Sequence, residues 1–208
     1  MHEAANNWGS ALAQEAQALA ASDLVAARAL WQQAGEHYAQ ALAIKPDMHE
    51  AANNWGSALA QEAQALAASD LVAARALWRQ AGERYAQALA IKPDLHEAAY
   101  NWGLVLVQEA QALAASDLPA ARALWQQAGE RYAQALEIKP DKHEAANNWS
   151  IALLHEFHAI QHTHPDEAAA LLSQAEALLL PAEASQPGLA AYNLACIAAL
   201  CHRPADAI

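Results

Sequence analysis

The chain has 208 residues, 55 % of them hydrophobic with alanine supplying much of that share, and 11 Lys and Arg against 23 Asp and Glu set a formal charge of −12. That balance argues against a nucleic-acid or anionic-membrane surface, because phosphate binding rests on basic patches. Glycine is scarce, the eight prolines punctuate rather than fill, and no apolar run approaches the roughly 18 residues a membrane span requires.

His2, His49, His96 and His143 open the same phrase at a period of 47 residues. Residues 2–48 and 49–95 differ only at Gln32/Arg79, His37/Arg84 and Met48/Leu95. Such a period implies a stack of repeats: 2–48, 49–95, 96–142 and 143–187, with a partial fifth at 188–208.

Each unit reads as two antiparallel helices. In the first, from His2 to about Ala21, Trp8, Leu12, Ala16 and Leu19 share a face. The turn is Ala21-Ser22-Asp23, where Ser22 or Asp23 can cap the second helix. In that second helix Leu24, Ala27, Trp31, Ala34, Tyr38 and Ala41 alternate steps of three and four and form a seam. It ends at Ile44-Lys45-Pro46-Asp47, where proline prevents continuation. Asp47 then reads as a capping box with Glu50 for the next helix. Helices of around 20 residues should be about 30 Å long.

The unit resembles a tetratricopeptide repeat, whose pattern is W-x2-L-G-x2-Y, then A-x3-F, then P. Ala5, Trp8, Gly9 and Leu12 take the first four slots, and Ala34, Tyr38 and Pro46 the last three. Alanine and tryptophan depart from the first two. Gly9 and Ala34 are 25 residues apart, about 13 more than in the family. The extra residues flank Ser22-Asp23 and lengthen both helices. The resemblance implies an all-α, right-handed superhelical solenoid of antiparallel helix pairs, four long repeats plus a terminal capping helix. It further implies that the first helices line a concave groove for peptides.

Unit three varies: Tyr100, Leu104, Val105 and Val107 replace Asn53, Ser57, Ala58 and Ala60. Unit four has Ser150 in the glycine slot, caps its second helix with Thr163 or His164 before Pro165, and stops that helix within a few residues of Pro181. After the loop at 185–188, Ala195 and Ala207 take the slots of Gly9 and Ala34 at ordinary family spacing. These features, with Met1 at a repeat boundary, read as a piece of a longer repeat protein.

No nucleophile motif, phosphate loop or C-x2-C pair is present, so no enzyme and no cofactor are expected. Cys196 and Cys201 lie too far apart on a helix to pair, which suits a reducing compartment, the cytoplasm. His155, His158 and His162 share a helix face and are weak candidate zinc or nickel ligands. Seven tryptophans, Trp55 among them, recur at core spacing and are expected to be buried. Gly35, Gly82 and Gly129 inside the second helices imply close neighbours.

The candidate ligand face comprises Glu3, Asn6, Asn7, Ser10, Glu50, Asn53, Asn54, Ser57, Glu97, Tyr100, Asn101, Leu104, Glu144, Asn147 and Asn148. Asparagine is unfavourable in mid-helix, so these either bind an extended peptide or bond between repeats. The first helices of units one and two carry Glu3, Glu15, Glu50 and Glu62 and no lysine or arginine, and neither is expected on this surface. The expected function is a non-enzymatic protein-interaction scaffold, part of a larger protein, that prefers basic or neutral peptides. The alternative is a structural or engineered self-associating rod, a homo-oligomer without a specific ligand.

Overall fold

The computed structural model describes residues 1–201. In them the repeats become helix pairs: α1 (His2–Leu19) and α2 (Leu24–Ile44), α3 (His49–Leu66) and α4 (Leu71–Ile91), α5 (His96–Leu113) and α6 (Leu118–Ile138), α7 (His143–Ile160) and α8 (Pro165–Ser185). A shorter α9 (Ala191–Leu200) closes the stack. The protein is all-α. No helix among the described residues is long and apolar enough to cross a membrane.

Each pair packs along its length, and each even helix then meets the odd helix that follows. Successive odd helices also pack against one another, whereas the backbones of successive even helices stand farther apart, with Arg122 of α6 reaching Glu167 of α8 at 2.6 Å. The stack therefore bends toward the odd helices, which form its inner face.

Within each pair a glycine lets an aromatic ring approach. A Cβ on Gly9, Gly56 or Gly103 would lie 2.9, 2.8 or 2.7 Å from Cε1 of Tyr38, Tyr85 or Tyr132. Those tyrosines are buried with Trp31, Trp78 and Trp125 as the centre of successive units. Unit four has Ser150 and Leu179 instead, both fully buried. Dense packing of this kind leaves little room for change in volume.

The even helices are capped as their sequence implies. Asp23, Asp70 and Asp117 each accept, through Oδ1, the N–H of the residue three on, at 2.9, 2.9 and 3.1 Å. The expected capping box at the odd helices does not form. Met48, Leu95 and Lys142 hold the N-cap positions and no side chain bonds there. The chain turns one residue later than Asp47, so that aspartate stands outside the helix and cannot reach its third N–H. At α8 the residue in the cap position is His164, again without a side-chain bond, and the helix passes through Pro181 to Ser185.

Ile197 and Ala198 of α9 are buried, and Ile197 shares a cluster with Leu153, Phe157, Ile160, Leu172 and Leu179. The terminal helix thus covers the last pair, as expected. Cys196 and Cys201 are free thiols. The expectation for Ala207 lies outside the described residues.

The loop before α9 is held by Glu183, whose carboxylate accepts N–H groups of Gly188 at 2.6 Å and Ala190 at 2.8 Å. Gly188 has φ +92°, which a side chain would strain. The N–H groups of Gly188, then Ala190 and Ala191, hold the Glu183 carboxyl below its usual value. A depressed carboxyl stabilises the fold above its unfolded pKa and loses that contribution as pH falls through its folded pKa. The protection of the Gly188 and Ala190 amides, relative to their intrinsic exchange rates, should therefore fall as pH drops below the ordinary carboxylate range, and Glu183→Gln should remove that pH dependence. Hydrogen exchange followed by NMR reads both.

Candidate functional site: the inner face

Glu3, Glu50, Glu97 and Glu144 are exposed at the same place in the first turn of four successive inner helices. The helix N-termini favour these carboxylates. Glu144 is held below its usual value, first by its own backbone N–H and then by Lys142 and Lys139, against a partial loss of solvation. His2, His49 and His96 flank the first three at 3.9, 3.4 and 3.3 Å.

The asparagines beside them are tied to one another. The Nδ2 of Asn54 donates to Asn6 Oδ1 at 3.2 Å, and that of Asn101 to Asn53 Oδ1 at 3.4 Å. In the next step Asn148 donates to the Tyr100 hydroxyl at 2.7 Å, and Asn193 of α9 donates to Asn147 Oδ1 at 2.6 Å. Each bond joins the second asparagine slot of one unit to the first slot of the unit before. The ladder supports bonding between repeats. It also extends into α9 through Asn193, a residue sequence reading did not single out.

Ser10 and Ser57 are partly engaged as well. Each donates to the carbonyl four residues back, and their oxygens lie 3.2 Å from the hydroxyls of Tyr38 and Tyr85. In unit three Leu104 removes this partner, and the buried Tyr132 hydroxyl has none. Burial raises the Tyr132 pKa, and Tyr100 packs against its ring at 6.1 Å between centroids. The inner face is thus polar over units one and two and more apolar at unit three.

A 440 Å³ hollow lies at the far end of this face, lined by Tyr100, Lys142, Glu144, Asn147, Asn148 and Leu189 among others. Lys142 Nζ sits 4.9 Å above the Tyr100 ring and 3.6 Å from Glu144. The reading that no lysine reaches this surface is therefore corrected. The α6–α7 connection delivers Lys139 and Lys142 to its end. The one signal in the sequence is that lysine stands where Met48 and Leu95 stand in earlier units.

The histidine cluster does not converge. His155 is partly buried, its Nε2 2.6 Å from the Gln111 amide nitrogen, which as donor needs that ring nitrogen unprotonated. Burial, then the nearby His158, lowers its pKa. His158 turns edge-on to Phe157, and His162 is exposed. Among the described residues no group of three or more His, Cys, Asp or Glu could hold a metal ion.

The tryptophans divide into two sets. Trp31, Trp78 and Trp125 are buried as expected. Trp55, Trp102 and Trp149 are half-buried in the joints between units, each with its Nε1 against a glycine of the preceding even helix. Arg84 and Arg131 lie over the rings of Trp55 and Trp102 at 3.8 and 4.1 Å. Trp8, expected in the core, is 62 % exposed. Outside the joints run three crevices of about 620, 730 and 630 Å³ between successive even helices.

The sequence matches no protein-family model, and no curated protein matches it.

Proposed function

We propose that the chain is a non-enzymatic interaction module of the tetratricopeptide type that holds an extended protein segment along the face of α1, α3, α5 and α7. One observation carries the reading. Glu3, Glu50, Glu97 and Glu144 stand exposed in register on successive inner helices, while the asparagines and serines around them are largely spent on internal bonds. Packed helices lie about 8–10 Å apart, so this row offers acceptors at regular steps to a chain lying across it. Its charge favours basic or uncharged polar segments. The hollow at Tyr100 and Lys142 gives the face a direction, since Tyr100 and Lys142 stand there in place of the Asn53 and Leu95 of the unit before. The free cysteines support a reducing compartment, the cytoplasm.

A second reading, a structural rod, is favoured by the regular geometry: Asp23, Asp70 and Asp117 cap with φ of −145°, −145° and −146°. Selection from a random peptide display library separates the two. The module reading expects enriched peptides whose binding is lost on Glu50→Lys with Glu97→Lys. Failure to enrich any sequence favours the rod.

A further inference from the structure

The three joints between units use the same three matches. An asparagine donates back to the preceding inner helix: Asn54 to Asn6 at 3.2 Å, Asn101 to Asn53 at 3.4 Å, Asn148 to Tyr100 at 2.7 Å. A tryptophan seats on a glycine of the preceding even helix. A Cβ on Gly35, Gly82 or Gly129 would lie 3.2, 3.0 or 2.8 Å from Nε1 of Trp55, Trp102 or Trp149. A glutamate takes an arginine from that same helix: Glu62 from Arg28 at 3.3 Å, Glu109 from Arg75 at 3.1 Å, Glu156 from Arg122 at 2.8 Å. These glutamate side chains are only 13, 14 and 11 % exposed.

The sequence of α1 is identical to that of α3. Asn7, Trp8 and Glu15 therefore stand where Asn54, Trp55 and Glu62 stand, and all three are exposed. His37 of the same unit stacks on one side of Trp8 at 5.3 Å, in the place of Arg84 over Trp55. The outer surface of α1 is thus one complete half of a joint whose other half is seen three times within the molecule.

We propose that this surface docks a further repeat of the chain's own type, one whose second helix carries arginine and glycine seven residues apart with tryptophan between them, as Arg28, Trp31 and Gly35 do. A second copy of the chain offers no free partner of this kind. Its α2, α4 and α6 faces are covered by α3, α5 and α7. In α8, Ala169 and Glu176 occupy the arginine and glycine places. An asparagine donor, an indole seated closely on glycine and a carboxylate in want of a cation together select one helix pattern.

The test extends the full chain by one copy of residues 2–48 placed directly before His2. Trp8→Phe in the added unit alone keeps that unit from presenting its own exposed indole. Trp8 of the original unit is the most exposed tryptophan, while Trp55, Trp102 and Trp149 are partly buried, so it supplies the most readily acrylamide-quenched component of the emission. The matched extension should lower the quenching of that component to the level of the partly buried joint tryptophans, and Glu15→Arg in the original α1 should restore part of it. A mismatched extension with Arg28→Glu and Gly35→Leu in the added unit should leave it intact. Unchanged quenching in the matched chain, or equal protection by the mismatched one, overturns the proposal. So does concentration-dependent protection of Trp8 in the unextended chain, which would make a second copy the occupant.

Discussion

Trp78→Ala should cost about 3–5 kcal/mol of stability, the range for emptying a large aromatic from a packed core. Trp78 is 1 % exposed and lies in one cluster with Ala52, Ala74, Tyr85, Ala99 and Trp125. Its surroundings are helices held on several sides, so the site cannot collapse around the loss. One term acts the other way. The Trp78 indole N–H has no hydrogen-bond partner, and removing a buried unmade donor returns about 1–3 kcal/mol. Cavity and transfer terms still win, because they scale with the whole ring. Trp55→Ala should cost less, about 1–3 kcal/mol, since that side chain is only partly buried. Urea denaturation of both variants decides the order. A Trp55 loss larger than the Trp78 loss would contradict the division of the tryptophans into core and joint sets.

Removing α9 should expose Leu153, Phe157, Leu172 and Leu179, which cluster with Ile197. A chain ending at Pro187 is therefore expected to bind hydrophobic dye and to self-associate, as uncapped repeat ends do. Ile197→Ala tests the same contact without deleting the helix and should cost about 2–5 kcal/mol. The Asn193–Asn147 bond survives in that variant, so its loss reports the apolar contact alone. A Pro187 truncation that stays monomeric with an unchanged melting curve would show that α9 covers nothing of consequence.

How far the sequence could be read differs between these parts. The helix pairs followed from steps of three and four in Leu24–Ala41 and from the 47-residue period, because periodicity is set by the helix itself. The Asp23 caps followed for the same reason: donor and acceptor lie within one turn. The capping box at Asp47 failed on a single backbone turn, which residue types leave open. The joints were harder still. Near-identical units invite pairing of like with like, yet Asn54 bonds to Asn6 rather than to Asn7. That offset depends on how far one unit is rotated on the next. Trp8 and Trp55 have identical neighbours in sequence and differ in exposure, since only Trp55 has a unit packed before it. On the inner face the glutamate row was legible as a repeat. Lys142 was not, because it stands on a connection and reaches Tyr100 only through the fold.

The function reading turns on the sign of charge along the inner face. The direct measurement is calorimetric titration of the chain with paired extended peptides of equal length and polarity, one basic and one acidic, at low and high salt. Tighter binding of the basic member is expected, weakened as salt screens the Glu3, Glu50 and Glu97 row and weakened again by Glu50→Gln with Glu97→Gln. Tighter binding of the acidic peptide, unaffected by those substitutions, would contradict both the preference and the assignment of this face.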